Sequence, residues 1–339
     1  MKRVLANVPA VTGRVFRIGA HPNSRSNDMK TTRRSFLGTA AATSLAAPAL
    51  PLVPLGAHRI SRLIIGGNPM SGFSHVSPAL DNEMLDYYNA ANTKEVLRRC
   101  EAQGVNAWQS RADKHVVRLL REYRNEGGRI QWIAQTASEM ADVKRNIREI
   151  AAAGAIGAYH HGATTDSLWR GGKAEVVVDR LKTMRDAGLR VGLGSHTPEV
   201  IDDAESRGLD IDFYMTCLYN LSRTGEEAAR IAGRVVEGEF FHEPDRAAML
   251  ERVRKTKRQC LIFKVYGAGR RCRSEADMRA ALRQVFDSAK PQDSVVVGMF
   301  PKNADQIAQN CRLVMECSAG ARTQACPAGL TGAAPGSQI

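Results

Sequence analysis

Apolar and polar positions alternate along residues 60–317 in two recurring patterns, one helical and one extended. In the helical pattern, apolar residues lie three or four positions apart, as at Met140, Val143 and Ile147. Small residues and a glycine then end the helix, and a short apolar run rich in branched residues follows at once. Because parallel strands buried on both faces are short and apolar throughout, each repeat predicts one helix followed by one buried strand.

The strand pattern occurs about eight times without a long interruption. Sustained alternation of this kind predicts a single-domain α/β protein, a closed (β/α)8 TIM barrel over residues 60–317. An open, doubly wound sheet is the alternative, but residues 66–69 begin no G-x-G-x-x-G motif. Two longer segments, 68–91 and 221–245, are expected to be loops that cover the substrate. The predicted strands are 63–65, 105–108, 130–134, 155–159, 190–193, 211–215, 261–265 and 294–297.

Positive charge is concentrated near the N-terminus. Residues 1–34 hold eight basic side chains and one acidic one, so they contribute +7 of the formal net charge of +13. The remaining excess is spread over both signs, and no basic stripe is interleaved with aromatic residues. This distribution argues against a nucleic-acid partner and indicates a targeting feature instead.

The targeting feature is an arginine pair, Arg33 and Arg34, before a short Ala- and Leu-rich run over 39–50. The run contains an A-x-A cleavage pattern at 47–49. It is shorter than the ~20 residues that a membrane span needs, and no cysteine lies at the cleavage site, so we expect no membrane anchor in the mature form. Residues 29–49 therefore resemble a twin-arginine signal peptide. This predicts a periplasmic or otherwise exported protein that uses the twin-arginine export machinery.

The chain ends on either side of the predicted signal and barrel are expected to add no domain. Residues 1–28 are interpreted as an upstream extension, with translation starting at Met29. The tail over 318–339 is rich in Gly, Ala, Pro and Thr and is expected to be disordered. The seven cysteines form no C-x-x-C pair, and twin-arginine substrates fold before export, so thiols are expected rather than a disulfide framework.

Polar residues are dense at the C-terminal ends of the predicted strands, which is where a barrel places its active site. The fourth predicted strand leads into His160 and His161, and the fifth leads into Ser195 and His196. Polar groups this dense need partners or ligands if they are buried. Further candidates at the strand ends are Gln109, Arg111, Gln135, Asp166, Cys217, Tyr219, Asn220, Tyr266 and Lys302.

Lys264 is unusual because it lies within the apolar run over 261–265. Alternation along a strand predicts that it points the same way as Ile262 and opposite to Phe263. In the barrel lumen, desolvation would lower its pKa, and it could act as a base, an electrophile or an imine-forming amine. The alternative is a lysine that extends its ammonium to solvent from the strand end.

Several segments in the second half of the chain resemble the aldo-keto reductase superfamily. Residues 159–162 lie where that family has a histidine on its fourth strand, and residues 190–200 resemble its fifth-strand segment. Residues 212–220 end in a similar Tyr-Asn pair, and 295–310 resemble the segment that holds the adenosine phosphate of NADPH. The resemblance implies that NADPH would be bound by Ser195, His196, Tyr219, Asn220, Tyr266, Lys302 and Asn310.

The catalytic half of the resemblance is incomplete. The family uses an Asp and a Tyr after the second strand and a Lys on the third. Residues 106–111, at the end of the second predicted strand, contain neither the Asp nor the Tyr. Gln135 stands where the Lys belongs, and only His161 matches the family. His161, Lys264 and Gln135 are therefore the predicted catalytic residues, acting on a small carbonyl or sugar-like substrate.

Three functions remain open at this point. The first is an exported, NADPH-dependent oxidoreductase. The second is a sugar-type isomerase, lyase or hydrolase that uses Lys264, or a metal held by His161, His196 and a further ligand. No H-E-x-x-H motif supports such a metal, so none is assigned, although the cofactor question stays open. The third is a non-catalytic barrel that binds a ligand.

Overall fold

Ten strands lie in the part of the chain that the computed structural model describes, residues 50–137 and 139–323. Eight of them pair in parallel and close into a barrel, which confirms the predicted single-domain (β/α)8 fold. The predicted upstream extension and twin-arginine signal lie outside the described residues. The strands are β1 (Leu52–Leu55), β2 (His58–Ser61), β3 (Leu63–Gly66), β4 (Ala107–Arg111), β5 (Gln131–Gln135), β6 (Gly157–His160), β7 (Arg190–Ser195), β8 (Phe213–Cys217), β9 (Gln259–Phe263) and β10 (Ser294–Gly298).

The helices form an outer layer, and their ends follow local sequence signals. Asn89, Asp113 and Ser274 cap helix starts by accepting a hydrogen bond from a backbone N–H three residues later. Gly104 and Gly154 follow helix ends with positive φ angles of 84° and 72°, as the Gly-strand junctions predicted. The helices are α1 (Pro78–Tyr87), α2 (Ala90–Ala102), α3 (Lys114–Asn125), α4 (Val143–Ala152), α5 (Gly162–Arg170), α6 (Ala174–Asp186), α7 (Pro198–Ser206), α8 (Gly225–Ala232), α9 (Pro244–Lys255), α10 (Glu275–Phe286) and α11 (Gln306–Thr323).

Several strand boundaries differ from those predicted. Strands β4 and β8 extend to Arg111 and Cys217, two or three residues beyond the predicted ends, because polar residues continue the ladder after the apolar run stops. Strand β9 ends at Phe263, two residues earlier than predicted. The polar side chains of β4 therefore lie on the strand itself, whereas Lys264 lies just after its strand.

The segments expected to lack regular structure contain helices. The predicted loop 68–91 holds a 3-10 turn at Pro69–Ser71 and helix α1, and the predicted loop 221–245 holds helix α8. Helix α11 runs to Thr323 and so overlaps the first residues of the predicted tail, whereas residues 324–339 lie outside the described part of the chain. Buried residues near its end, such as Val314 and Cys317, anchor this helix to the core.

The barrel lumen is closed at one end by a feature that the sequence patterns did not predict. Strands β1 and β2 form an antiparallel hairpin just before the barrel. Its Val53, Leu55 and Ile60 are buried in one cluster with the apolar lumen residues. The lumen residues of this cluster are Ile64, Ala107, Ile133, Tyr159, Phe213, Met215, Leu261 and Val296.

A second, larger core lies between the strands and the surrounding helices. Trp108 and Trp132 are fully buried there, and the Trp132 indole donates a hydrogen bond of 2.9 Å to Ser110 Oγ. Among residues 50–137 and 139–323, no helix combines the length and apolar character that crossing a membrane requires.

Candidate active site

A cavity of about 630 Å³ lies at the carboxyl ends of the barrel strands. Three strand-end residues predicted to be functional, His161, His196 and Lys264, line it together with Gln135 and Tyr266. Active sites of TIM barrels form at this end, where the loops after the strands converge. The remaining lining is mixed, with apolar side chains such as Phe73, Leu80, Met84, Leu221, Phe263 and Phe300.

Lys264 reaches the cavity through a change in backbone conformation. Its φ angle is 61°, in the left-handed region that residues with a side chain rarely adopt. The prediction that Lys264 and Ile262 point the same way is wrong: Ile262 packs in the outer core, whereas Lys264 lines the cavity. Strand alternation ends at Phe263, and the left-handed residue that follows redirects the side chain.

The Lys264 ammonium is held by few contacts. It lies 5.8 Å from the ring centroid of Phe241, and no described residue forms a hydrogen bond or ion pair with it. Burial lowers the pKa of Lys264 to about 8, although Cys217 and Glu239 oppose the shift. A substantial fraction of the amine is therefore neutral, and nucleophilic, near physiological pH.

Backbone strain is concentrated at this cavity. Among the described residues, the non-glycine positions with positive φ are His75, Lys264 and Ala268, and all three line it. His75 is fixed from both ring nitrogens, by Glu239 at 2.8 Å and by Asn68 at 2.9 Å. Strained residues persist where the surrounding contacts hold them, and they are frequent at functional sites.

His196 is held by a buried carboxylate. Its Nδ1 lies 2.7 Å from Asp166 Oδ2, and the Asp166 side chain is only 2% exposed. Asp166 also accepts hydrogen bonds from Ser195 Oγ (2.6 Å) and Ser222 Oγ (2.5 Å). Burial lowers the pKa of the His196 imidazole, but Cys217 and Asp166 outweigh burial and raise it to about 10. The Asp166 carboxylate therefore favours the protonated form of His196.

His161 has the opposite protonation state. Burial, together with the nearby positive charges of His196 and Arg111, lowers its pKa to about 4. Its Nδ1 lies 3.1 Å from Thr164 Oγ1. One wall of the cavity thus carries a neutral imidazole and a protonated one, an arrangement that suits a proton acceptor and a proton donor.

A chain of hydrogen bonds crosses the deepest part of the cavity. Gln109 Nε2 donates to the Tyr159 hydroxyl at 2.7 Å, and this hydroxyl donates to Gln135 Oε1 at 2.8 Å. All three residues line the cavity, while Tyr159 also belongs to the apolar lumen cluster. Together they form a polar layer, the cavity floor, directly above the apolar core of the barrel.

Two groups of the site were not predicted from the sequence. Glu239 reaches the cavity from the segment between α8 and α9, where no local pattern marks it. Tyr159 lies within β6 between smaller residues, so a search of strand ends overlooks it. Its one signal is that Gly192 and Gly194 lie on the adjacent strand, where an added Cβ would come within 2.6 and 3.1 Å of Tyr159.

Most of the residues predicted to bind NADPH use their polar atoms within the protein. Ser195 donates to Asp166, and the Tyr219 hydroxyl donates to Glu243 at 2.8 Å. The Tyr266 hydroxyl donates to Asn310 Oδ1 at 2.8 Å, and both side chains are buried. His196 and Tyr266 line the central cavity, whereas Ser195, Tyr219 and Asn310 do not.

The remaining two predicted NADPH-binding residues lie away from the central cavity. Lys302 pairs with Glu83 at 2.9 Å on the surface. Asn220 lines a second cavity of about 710 Å³ among α5, α7 and α8. The seven residues therefore do not share one surface.

Metal-binding groups are also dispersed. His161 and His196 line the same cavity, but His196 Nδ1 is occupied by Asp166. Within the two described ranges, no three His, Cys, Asp or Glu side chains are grouped so that they could hold a metal ion.

Comparison with known proteins establishes the fold. No protein-family model matches the chain, and no curated protein is similar to it. The chain is similar to the crystal structure of the Amycolatopsis orientalis BexX/CysO complex, with 11% identity, 83% of this chain and 100% of that chain covered, and a TM-score of 0.50.

Two further similar structures have somewhat lower scores. A truncated form of 3-deoxy-D-arabino-heptulosonate 7-phosphate synthase from Thermotoga maritima is 15% identical, with 82% and 94% of the two chains covered and a TM-score of 0.49. The Yersinia pestis dihydropteroate synthase is 11% identical, with 80% and 98% covered and a TM-score of 0.46. At such low identity these likenesses bear on the fold alone and leave the chemistry to the site itself.

Proposed function

We propose that the protein is an enzyme that forms an imine between Lys264 and the carbonyl carbon of a small, sugar-like substrate, and so acts as a lyase or isomerase. The single observation that carries this proposal is the Lys264 amine, which lies in the strand-end cavity without a hydrogen-bond or ion-pair partner among the described residues. A lysine in such a desolvated position is a recurrent imine-forming nucleophile.

The proposed step balances without an oxidant or reductant. The neutral amine of Lys264 adds to the carbonyl carbon, and the carbonyl oxygen takes up protons and leaves as water. The product is a protonated imine, for which the cavity must supply one proton. The imine withdraws electrons from the adjacent carbon, so a C–H or C–C bond there can break with its electron pair moving into an enamine. If a C–C bond breaks, the other fragment leaves as a carbonyl compound after its hydroxyl loses a proton. A proton then returns to the enamine carbon and restores an imine, and water hydrolyses this imine to release the product and the free Lys264 amine.

Two histidines are assigned the proton transfers. His196, as an imidazolium held by Asp166, is the donor to the departing oxygen. His161, as a neutral imidazole on the same cavity, is the acceptor of a proton from the substrate. This division follows from their opposite pKa shifts, since a donor and an acceptor must differ in protonation state at one pH.

An NADPH-dependent reductase has less support. Ser195, Tyr219 and Asn310, three of the residues that the aldo-keto reductase resemblance implied, are buried and bonded internally. The predicted export through the twin-arginine route is independent of either chemistry and stays a prediction. A metal-dependent isomerase also has less support, because the described residues offer no group of three metal-binding side chains.

Trapping with borohydride tests the proposal. Borohydride reduces an imine to a stable secondary amine, so incubation with a small aldehyde should add one substrate-derived group at Lys264, located by peptide mass spectrometry. Lys264→Met should abolish the adduct. Lys182→Met, which removes an exposed lysine on α6, should leave it unchanged. The absence of an adduct at Lys264 with every carbonyl probe would contradict the proposal and favour a non-catalytic ligand-binding barrel.

A further inference from the structure

The cavity floor of Gln109, Tyr159 and Gln135 is polar where the rest of the lumen is apolar. Gln109 is 6% exposed and Tyr159 is 4% exposed, so both have left bulk water. The nearest lumen residues before Gln109 on β4 and before Gln135 on β5 are the apolar Ala107 and Ile133. Burial of a polar side chain in an apolar core lowers the stability of the folded state unless the hydrogen bonds of that side chain are completed. The polar atoms of this layer therefore need partners, either within the protein or on a ligand.

The direction of the hydrogen bonds leaves one amide oxygen and one amide nitrogen without a partner at the floor. Burial raises the pKa of Tyr159 well above its usual range, so its hydroxyl stays protonated and donates to Gln135 Oε1. Gln109 uses Nε2 to donate to Tyr159, which leaves its Oε1 as an acceptor. Gln135 accepts through Oε1, which leaves its Nε2 as a donor. No described residue bonds to either of these remaining atoms, and both side chains line the cavity.

A neutral group that both donates and accepts matches this pair of atoms. A carboxylate or phosphate would meet the Gln109 acceptor without a proton to offer, and an ammonium would meet the Gln135 donor. Arg111, which lies opposite Gln135 in the β4–β5 register, is already paired with Asp113 and Glu139. A hydroxyl group satisfies both free atoms and needs no counter-charge.

We infer that the cavity floor is a hydroxyl-binding subsite built from Gln109, Tyr159 and Gln135, and that the substrate is a polyhydroxylated aldehyde or ketone. The inference rests on the proposed function for the position of the carbonyl, which Lys264 attacks. The floor then binds a hydroxyl elsewhere on the same molecule. A cavity of about 630 Å³ accommodates a compound of this kind.

A pair of three-carbon aldehydes tests the subsite in the full-length protein. Glyceraldehyde carries two hydroxyls and propanal carries none, and the readout is the concentration of each that gives half-maximal borohydride trapping at Lys264. The ratio of the two concentrations, rather than either alone, measures hydroxyl binding. We expect the wild-type protein to favour glyceraldehyde by about tenfold or more, because the analogue that lacks the hydroxyl leaves the free donor and acceptor of the floor without a partner.

Two variants test whether the preference for glyceraldehyde over propanal depends on the cavity floor. In Gln109→Leu the free acceptor is lost, and in Tyr159→Phe the hydroxyl that orients both amides is lost. Each should bring the ratio to within about threefold of unity. Gln103→Leu, the same substitution at an exposed position after α2, should keep the wild-type ratio. Circular dichroism establishes that each variant is folded, and the use of two variants means that one unfolded protein does not decide the test.

The outcomes separate this inference from the proposed function. If neither aldehyde is trapped at Lys264, imine formation itself is contradicted. If both are trapped but at similar concentrations, or if the ratio persists in Gln109→Leu and Tyr159→Phe, the hydroxyl subsite is overturned while imine formation stands. A ratio that falls in both variants and persists in Gln103→Leu supports the subsite.

Discussion

Lys264 owes its position to a single backbone angle. A strand that continued past Phe263 would place this side chain on the outer face with Ile262, where an ammonium would be buried among apolar helix residues. The left-handed conformation at φ 61° directs it into the cavity instead. A strained backbone residue costs of order 1–3 kcal/mol, so its retention at this point is consistent with a functional role.

The first prediction concerns the reactivity of Lys264 as a function of pH. Only the neutral amine reacts with an acylating reagent, and burial lowers the pKa of Lys264 to about 8. Its rate of acetylation should therefore reach half of its maximum near pH 8. Lys182 is an internal control, because its bond to Asp186 raises its pKa above the usual lysine value. Peptide mass spectrometry after brief labelling measures both sites, and identical pH profiles would contradict the lowered pKa.

The second prediction concerns the Asp166–His196 pair. In Asp166→Asn the buried negative charge is lost, so the pKa of His196 should fall from about 10 toward the ordinary histidine value of about 6.5. Ser222→Ala keeps the carboxylate and should leave His196 protonated at pH 8. Titration of the imidazole by NMR measures both. A His196 that is still protonated at pH 8 in Asp166→Asn would show that Asp166 does not maintain its charge.

At the scale of elements, the hairpin β1–β2 closes the barrel at the end opposite the cavity-forming loops. The repeat of helix and strand begins only after it, which is why a search for that repeat places the start of the domain near residue 60. The hairpin is short, and its alternation of Val53 and Leu55 inward with Leu52 outward spans just four residues. A pattern this brief has little weight beside the longer repeats that follow.

The third prediction compares two leucines of this hairpin. Leu55 is 1% exposed and packs in the lumen cluster, whereas Leu52 is 42% exposed. Leu55→Ala should lower the free energy of unfolding by about 2–5 kcal/mol, through lost burial and the cavity left behind. Leu52→Ala should change it by less than about 1 kcal/mol. Urea denaturation measures both, and equal effects would mean that the hairpin does not contribute to the barrel core.

The expectation that functional residues lie at the C-terminal ends of the barrel strands located the cavity correctly, but it did not identify the role of each residue. It selected His161, His196 and Lys264, which do converge on one cavity. It also selected Ser195 and Tyr219, which are buried and bonded within the protein, because strand order alone does not tell which way a side chain points. Contacts across the barrel, such as the bond from Tyr159 to Gln135, depend on the closed geometry and have no local signal.

For the whole molecule, about eight repeats were enough to predict a closed barrel. In each repeat a helix ends at a glycine and a buried strand follows directly, and this alternation continues without a long interruption. The fate of the chain after synthesis is a separate question, because residues 1–49 lie outside the described part of the structure. The twin-arginine signal there remains a prediction from sequence.

The fourth prediction tests that signal. Replacement of Arg33 and Arg34 together by lysine keeps the positive charge but removes the guanidinium groups. The full-length variant should remain in the cytoplasmic fraction, unprocessed, while the wild-type protein is exported and shortened. Cell fractionation with mass spectrometry of the N-terminus measures both, and normal export of the variant would contradict a twin-arginine route.

The site of borohydride trapping tests imine formation at Lys264 most directly. The full-length protein is incubated with glyceraldehyde, reduced, digested and mapped by mass spectrometry. We expect a single reduced adduct per chain at Lys264, absent from Lys264→Met and retained in Lys182→Met. Adducts spread over exposed lysines, with none at Lys264, would contradict it.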